Sequence, residues 1–216
     1  MITEFVKRII SSIILIPVVL FFIIKGSFLF NLFIIICFSI TFYEWHKMSK
    51  KKPYNILGLI FIIFSFYSIY MMRNNFLSDY FYLLLITTIC ISTDIGGYIF
   101  GKIFKGPKLT KISPKKTYSG MIGGYLLSII FVNFFLNNHY INSPVELKID
   151  IFIFALLVST VSQIGDIIIS YFKRKANIKD TGKLIPGHGG LLDRVDGMIL
   201  AFPFSYLILS IDIFNF

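Results

Sequence analysis

Seven long apolar runs most constrain what this chain can fold into. Each approaches the roughly 20 residues that a helix needs to cross the hydrocarbon core of a bilayer. Of the 216 residues, 56% are hydrophobic, and no polar stretch between the runs is long enough for a soluble domain. The sequence therefore predicts an all-α, polytopic integral membrane protein with about seven transmembrane helices. The predicted spans are 9–24, 28–43, 56–72, 80–100, 121–136, 151–172 and 195–214.

The cations are distributed unevenly between the two sides of such a membrane protein. With the N-terminus in the cytoplasm, 18 of the 21 lysine and arginine residues lie on the cytoplasmic side, and only Lys25, Arg73 and Lys148 lie outside. Cytoplasmic segments of membrane proteins carry such an excess of Lys and Arg. We therefore expect a cytoplasmic N-terminus, an external C-terminus and two basic cytoplasmic loops at 101–120 and 173–194, in a bacterial inner membrane.

The net charge of +10 alone would also suit a nucleic-acid-binding protein. However, the cations cluster in loops between apolar runs, and no recognisable nucleic-acid-binding module accompanies them. Lipid headgroups and nucleotide phosphates are the expected partners, and nucleic acid is not.

The most polar stretch of the chain, residues 170–196, lies between two predicted spans. It contains six cations, three carboxylates (Asp180, Asp193 and Asp196), His188 and four glycines. Polar groups at this density beside membrane spans are costly and indicate function. Cations suit phosphates, carboxylates suit a divalent metal, and glycines let backbone N–H groups approach an anion. The stretch predicts a site for a polyphosphate and a metal at a membrane surface.

Three carboxylates have the spacing of a metal site. Asp193 and Asp196 are three residues apart and share one helical face, while Asp166 lies near the end of the preceding span. Such a cluster suits Mg²⁺, and mutual repulsion should raise the pKa values of its carboxyl groups when no metal is bound. Two alternatives stay open: Asp193 and Asp196 stabilise a helix N-terminus, or Asp166 forms a simple charge pair with Lys173, seven residues away.

Two further segments hold candidate residues. Asp94 lies near the end of the fourth predicted span and is followed by Gly96 and Gly97, which alternatively serve only close helix packing. The basic loop 101–120 contains Ser-Pro-Lys-Lys-Thr at 113–117, whose hydroxyl and ammonium groups around a rigid proline turn suit a phosphate. The alternative for this loop is a topology signal or a contact with the lipid surface.

The polar stretch resembles the signature of phosphatidate cytidylyltransferases, also called CDP-diacylglycerol synthases. Asp94, the 113–117 segment and Gly165-Asp166 are similar to further family features, so the resemblance covers about residues 94–203. Two places depart from the family: Ile169 stands where members commonly carry a glutamate, and Tyr118-Ser119 stand where members often have Trp-Glu. The signature residues are Ser170-x-Phe172-Lys173-Arg174, Lys179-Asp180-x-Gly182 and Ile185-Pro186-x-His188-Gly189-Gly190-Leu191-x-Asp193-Arg194-Val195-Asp196.

The resemblance implies transfer of CMP from CTP to phosphatidic acid, giving CDP-diacylglycerol and pyrophosphate, with Mg²⁺ and a possible second cation as cofactors. It implies N-terminal spans at 1–78 with a peripheral role and a catalytic membrane domain at 79–216. Expected partners are the two substrates and membrane lipid, with a homodimer left open. The residues implied are, for catalysis, Lys173, Arg174, Lys179 and Asp180; for the metal, Asp166, Asp193 and Asp196; and for substrate binding, Asp94, Ser113, Lys115, Lys116, Thr117, His188, Gly189, Gly190 and Arg194.

Two other functions stay open at this point. A CTP-dependent lipid kinase, or a cytidylyltransferase for another lipid phosphate, would need similar groups. A secondary transporter also combines glycine-broken spans with intramembrane charges, but it would be expected to show paired halves. The sequence contains no second copy of the 170–196 pattern.

Overall fold

The computed structural model of this chain describes residues 4–74, 80–110, 112–139, 149–185, 187 and 189–211, and of residues 4–13 and 138–139 the backbone only. Every named element in this part of the chain is a helix, so the all-α prediction is confirmed. Each predicted span coincides with a helix, except that the last one is divided into a short helix and a longer one. The helices are α1 Glu4–Lys25, α2 Ser27–Ser49, α3 Asn55–Asn74, α4 Phe81–Phe104, α5 Tyr118–His139, α6 Ile149–Lys175, α7 Leu192–Val195 and α8 Met198–Ser210.

Five of these helices, α2 to α6, are long and apolar enough to cross a membrane. Among the residues described, α8 and the 14–25 part of α1 are apolar but shorter. The membrane class predicted from the apolar runs is therefore confirmed with five candidate spans. Seven spans and a cytoplasmic N-terminus stay predictions.

The chain forms two compact units, and neither is continuous in sequence. Unit 1 comprises Met1–Tyr80 and Phe172–Asp196, and unit 2 comprises Phe81–Tyr171 and Gly197–Phe216. Unit 1 thus joins the N-terminal helices to most of the signature stretch. The functional division at residues 1–78 and 79–216 remains a prediction.

In unit 1, an aromatic cluster holds the last turn of α6. The ring of Phe172 lies 5.3 Å from that of Trp45 on α2 and 4.7 Å from that of Tyr54, which precedes α3. The ammonium of Lys175 lies 5.0 Å from the centre of the Tyr54 ring, a cation–π distance. Because Phe172 is fixed in this way, the backbone of its neighbour Lys173 is fixed as well.

In unit 2, glycines bring α4 and α5 into backbone contact. A Cβ added to Gly96 would collide with the carbonyl oxygen of Gly123, and one added to Gly120 would lie 2.7 Å from the carbonyl oxygen of Gly97. Small residues allow membrane helices to approach this closely. Gly96 therefore has the packing role that the sequence left as an alternative.

Candidate active site

In unit 2 the structure brings together two of the predicted site residues, Lys116 and Asp166. The ammonium of Lys116 lies 2.5 Å from Asp166 Oδ2, and it also donates to the backbone carbonyl of Gln163 at 3.4 Å. Ser170 Oγ donates to the other carboxylate oxygen, Oδ1, at 3.2 Å. The structure thereby connects the 113–117 segment to α6, a contact that the sequence did not predict.

The 113–117 segment is a tight turn followed by a helix cap. Lys116 N–H donates to the Ser113 carbonyl at 3.0 Å, which closes a turn around Pro114, and the side chain of Lys115 is exposed. Thr117 Oγ1 accepts a hydrogen bond from Gly120 N–H at 3.1 Å, the geometry of an N-cap at the start of α5. Thr117 therefore has a structural role beside its predicted contact with substrate.

Asp94, the remaining candidate in unit 2, lies three turns before the end of α4 with its side chain exposed. Its predicted role in substrate binding stays a prediction.

In unit 1, Lys173 joins the two carboxylates that the sequence placed on one helical face. Its ammonium lies 3.0 Å from Asp193 Oδ1 and 3.7 Å from Asp196 Oδ2. Lys173 is 7% exposed and Asp193 is 6% exposed, so the ion pair is buried. The i, i+3 spacing thus aims both carboxylates at one cationic centre.

The other oxygen of Asp193 binds the two ends of the glycine-rich loop. Oδ2 accepts hydrogen bonds from Thr181 N–H at 2.7 Å, Gly190 N–H at 2.9 Å and Thr181 Oγ1 at 3.1 Å. Burial raises the pKa of Asp193, but the Gly190 N–H, the Lys173 ammonium and the Thr181 N–H together outweigh it and hold the pKa below its usual value. The expected rise is therefore wrong for Asp193, because the hydrogen-bond donors and the cation around its carboxylate stabilise the charged form.

Between those ends the loop turns back on itself. Ile185 N–H donates to the Gly189 carbonyl at 2.9 Å, and Gly189 N–H donates to the Ile185 carbonyl at 3.1 Å. Gly187 at φ 76° and Gly189 at φ 91° have left-handed backbone angles that side chains with a Cβ rarely adopt. This hairpin requires glycine at both positions. Pro186 and the predicted substrate contact His188 lie outside the described residues.

Glu44 on α2 is the residue of this site that the sequence reasoning missed. Its carboxylate is 5% exposed and accepts hydrogen bonds from Leu191 N–H at 3.1 Å and Leu192 N–H at 2.8 Å. Thr181 Oγ1 lies 3.0 Å from Glu44 Oε2, and the single proton of this hydroxyl is shared between Glu44 and Asp193. One signal was available, since Glu44 is the sole carboxylate between Glu4 and Asp79 in the sequence and follows a predicted span. A carboxylate in such a position needs partners.

The remaining candidates of the signature are at the surface of unit 1. The side chains of Arg174, Lys179, Asp180 and Arg194 are all exposed. An open cavity of about 420 Å³ lies between the end of α2 and the loop, and its lining includes Lys47, Glu44, Thr181 and Lys183. Cations are thus available at the surface beside the buried Lys173 pair.

The side chains of unit 1 supply part of what the implied metal requires. In the described part of the chain, no group of three or more His, Cys, Asp and Glu side chains is placed to hold a metal ion. Asp193 and Asp196 nevertheless converge on one positive group, the Lys173 ammonium. Carboxylate oxygens are the donors that Mg²⁺ uses in proteins, so the chemistry of this pair suits a divalent ion, although the Lys173 ammonium is the cation that both carboxylates face in this structure.

The chain combines a membrane fold with a charged, glycine-rich site, and comparison with known proteins identifies the class of protein to which it belongs. A family model described as the cytidylyltransferase family matches residues 6–86 and 55–212, so the chain belongs to the cytidylyltransferase family. A phosphatidate cytidylyltransferase of Rickettsia felis is 39% identical over 214 residues, which covers 93% of this chain and 90% of that protein. A phosphatidate cytidylyltransferase of Rickettsia conorii is 39% identical over 198 residues, with 89% and 86% covered.

A third relative differs in length. The phosphatidate cytidylyltransferase of Brucella suis is 36% identical over 172 residues, which covers 79% of this chain but 61% of that protein. The resemblance stated from the signature residues is confirmed by the family match.

Proposed function

We propose that this chain is a phosphatidate cytidylyltransferase that makes CDP-diacylglycerol from CTP and phosphatidic acid. The observation that carries the proposal is the match to the family over nearly the whole chain, with relatives of that name at 39% identity. The exposed cations Arg174, Lys179 and Arg194 support it, because positive groups at the surface suit a phosphate substrate.

The reaction is an in-line displacement at phosphorus. A phosphate oxygen of phosphatidic acid attacks the α-phosphorus of CTP, a new O–P bond forms, and the bond between the α-phosphorus and the bridging oxygen breaks to release pyrophosphate. The nucleophile is already an anion, so no strong general base is needed. The protein contributes mainly positioning and stabilisation of charge.

The roles proposed for the residues follow from their exposure. Arg174, Lys179 and Arg194 are exposed cations that neutralise the triphosphate and the leaving pyrophosphate, while Lys173 stabilises charge from the buried centre. The glycine hairpin lets a phosphate approach closely, while the N–H groups of Gly189 and Gly190 donate to Ile185 and Asp193 and hold its shape.

Other proposed roles rest on the sequence. Ser113, Lys115 and Lys116 bind one of the two substrates. Asp94 also binds substrate, and Asp180 takes part in catalysis. Asp193 and Asp196 would hold Mg²⁺, with Asp166 as the predicted third ligand. When bound, Mg²⁺ supplies positive charge to the phosphates.

The test uses CTP that carries the label on either of two phosphates. Purified protein in detergent receives phosphatidic acid, Mg²⁺ and CTP labelled at the α- or the γ-phosphate, and the lipids are separated by thin-layer chromatography. We expect label in CDP-diacylglycerol from the α-phosphate only. Label from the γ-phosphate in the lipid would mean a lipid kinase, and no labelled lipid from either nucleotide would contradict both enzymes.

We also propose that the N-terminus and both basic loops face the cytoplasm, as the distribution of cations indicates. Single cysteines at Lys108 and Lys183, whose side chains are exposed, should resist a membrane-impermeant thiol reagent in intact cells when Cys37 and Cys90 are absent. A cysteine at the exposed Lys25 is the matched control and should be labelled. Labelling of Lys108→Cys or Lys183→Cys from outside would reverse this orientation.

A further inference from the structure

The Glu44 carboxylate connects both ends of the glycine-rich loop. At one end it accepts from Thr181 Oγ1, and at the other from the N–H groups of Leu191 and Leu192, where α7 begins. Within the described residues these three neutral donors are the partners of Glu44, and no cation forms an ion pair with it. A buried carboxylate held by neutral donors alone is costly for stability. That cost favours a role in function.

Two glycines of the signature are explained by the closeness of Glu44. A Cβ added to Gly182 would lie 2.5 Å from Glu44 Oε1, and one added to Gly190 would collide with the carboxylate and with the Thr181 hydroxyl. Neither glycine has a left-handed φ, so space and not backbone conformation excludes a side chain at these positions. The loop is therefore shaped around Glu44.

The same contacts connect Glu44 to Asp193. Thr181 Oγ1 lies within hydrogen-bonding distance of both carboxylates, 3.0 Å from Glu44 Oε2 and 3.1 Å from Asp193 Oδ2. Glu44 also binds the N–H groups of the two residues that directly precede Asp193. It thus fixes the turn from which the Asp193 side chain reaches Lys173.

We propose that Glu44 is a positioning residue for nucleotide binding, which holds the loop 181–192 in the shape that receives the phosphates of CTP. The proposal rests on the function proposed above. It gives the second helix, which the sequence assigned to a peripheral role, a direct part in the site.

The experiment measures equilibrium binding of CTP, with Mg²⁺ present, to the purified full-length chain in detergent. Glu44→Gln keeps the size of the side chain but replaces one acceptor by an NH₂ group, which faces donors and cannot accept from them. We expect the Kd for CTP to rise at least about tenfold with unchanged binding stoichiometry, on the scale of a lost hydrogen bond to a charged group. A purely structural role would lower the stoichiometry and leave the Kd of the folded fraction unchanged.

A double-variant cycle tests the geometry. Gly182→Ala alone should also raise the Kd at least about tenfold, because its Cβ displaces the Glu44 carboxylate. In a Glu44→Asp background, whose shorter side chain leaves room, the same alanine should cost about threefold or less. Gly97→Ala is the matched control, because the added Cβ would lie 3.8 Å from the nearest atom. This variant should leave the Kd unchanged in both backgrounds.

The outcomes separate this proposal from the proposed function. If the unaltered chain binds no CTP, the proposed function fails. If it binds CTP and Glu44→Gln binds it equally well, or if Gly182→Ala costs the same in both backgrounds, Glu44 does not position the loop. If Glu44→Gln does not fold, Thr181→Val decides, since it removes only the hydroxyl between the two carboxylates; a normal Kd in that variant overturns the proposal.

Discussion

Replacing Asp193 by asparagine should lower the rate of CDP-diacylglycerol formation at least about 10²-fold, the scale of losing one key electrostatic contact. The substitution keeps the shape of the side chain but removes the charge on which Lys173, Thr181 and Gly190 converge. It also leaves the buried Lys173 with Asp196, at 3.7 Å, as its remaining carboxylate in this centre. Removing one partner of a buried ion pair costs about 3–5 kcal/mol, so the melting temperature should fall as well.

The matched control for this prediction is Asp180→Asn. Asp180 lies in the same loop but its side chain is exposed, so the variant should keep its melting temperature and lose less activity than Asp193→Asn. The measurement compares rates and melting temperatures of both variants in the same detergent. A near-normal rate for Asp193→Asn would mean that the charge of Asp193 is not needed for catalysis.

Removing the charge of Lys173 should have an effect of the same size. In Lys173→Met, Asp193 and Asp196 lose the cation that both face, and their like charges remain close together in a buried centre. We expect a loss of activity of at least about 10²-fold and a loss of stability of about 3–5 kcal/mol. The measurements are the rate with labelled CTP and the free energy of unfolding.

The double variant Lys173→Met with Asp193→Asn separates catalysis from stability. In the double variant Asp196, whose side chain is 13% exposed, is the one carboxylate of this centre that has lost Lys173, so the stability loss should be below the sum of the two single losses. Activity should stay as low as in the single variants, because the charged centre is still absent. Recovery of activity together with stability would show that the pair only holds the fold.

The apolar runs made the helices predictable, because a run near 20 residues leaves a chain in lipid few other choices. The shared face of Asp193 and Asp196 was also predictable, since helical periodicity alone places residues three apart side by side. The structure adds the group that both carboxylates face, which is Lys173.

The partners of the charged side chains were not predictable, because they depend on packing between distant segments. Asp166 binds Lys116, 50 positions earlier in the sequence, whereas the sequence suggested the nearby Lys173. Glu44 binds donors that lie 137 to 148 residues away in the sequence, and no local sequence pattern predicts such a contact. Periodicity describes neighbours along one helix and carries no information on which helices meet.

The discontinuity of unit 1 has a consequence for biosynthesis. Its N-terminal helices emerge from the ribosome long before residues 172–196, so the Glu44 carboxylate must wait for its hydrogen-bond donors until most of the chain has been translated. Segments close in space but far apart in sequence are also slow to meet during folding. An incomplete nascent chain therefore carries the Glu44 carboxylate without the hydrogen-bond donors that surround it in the folded protein.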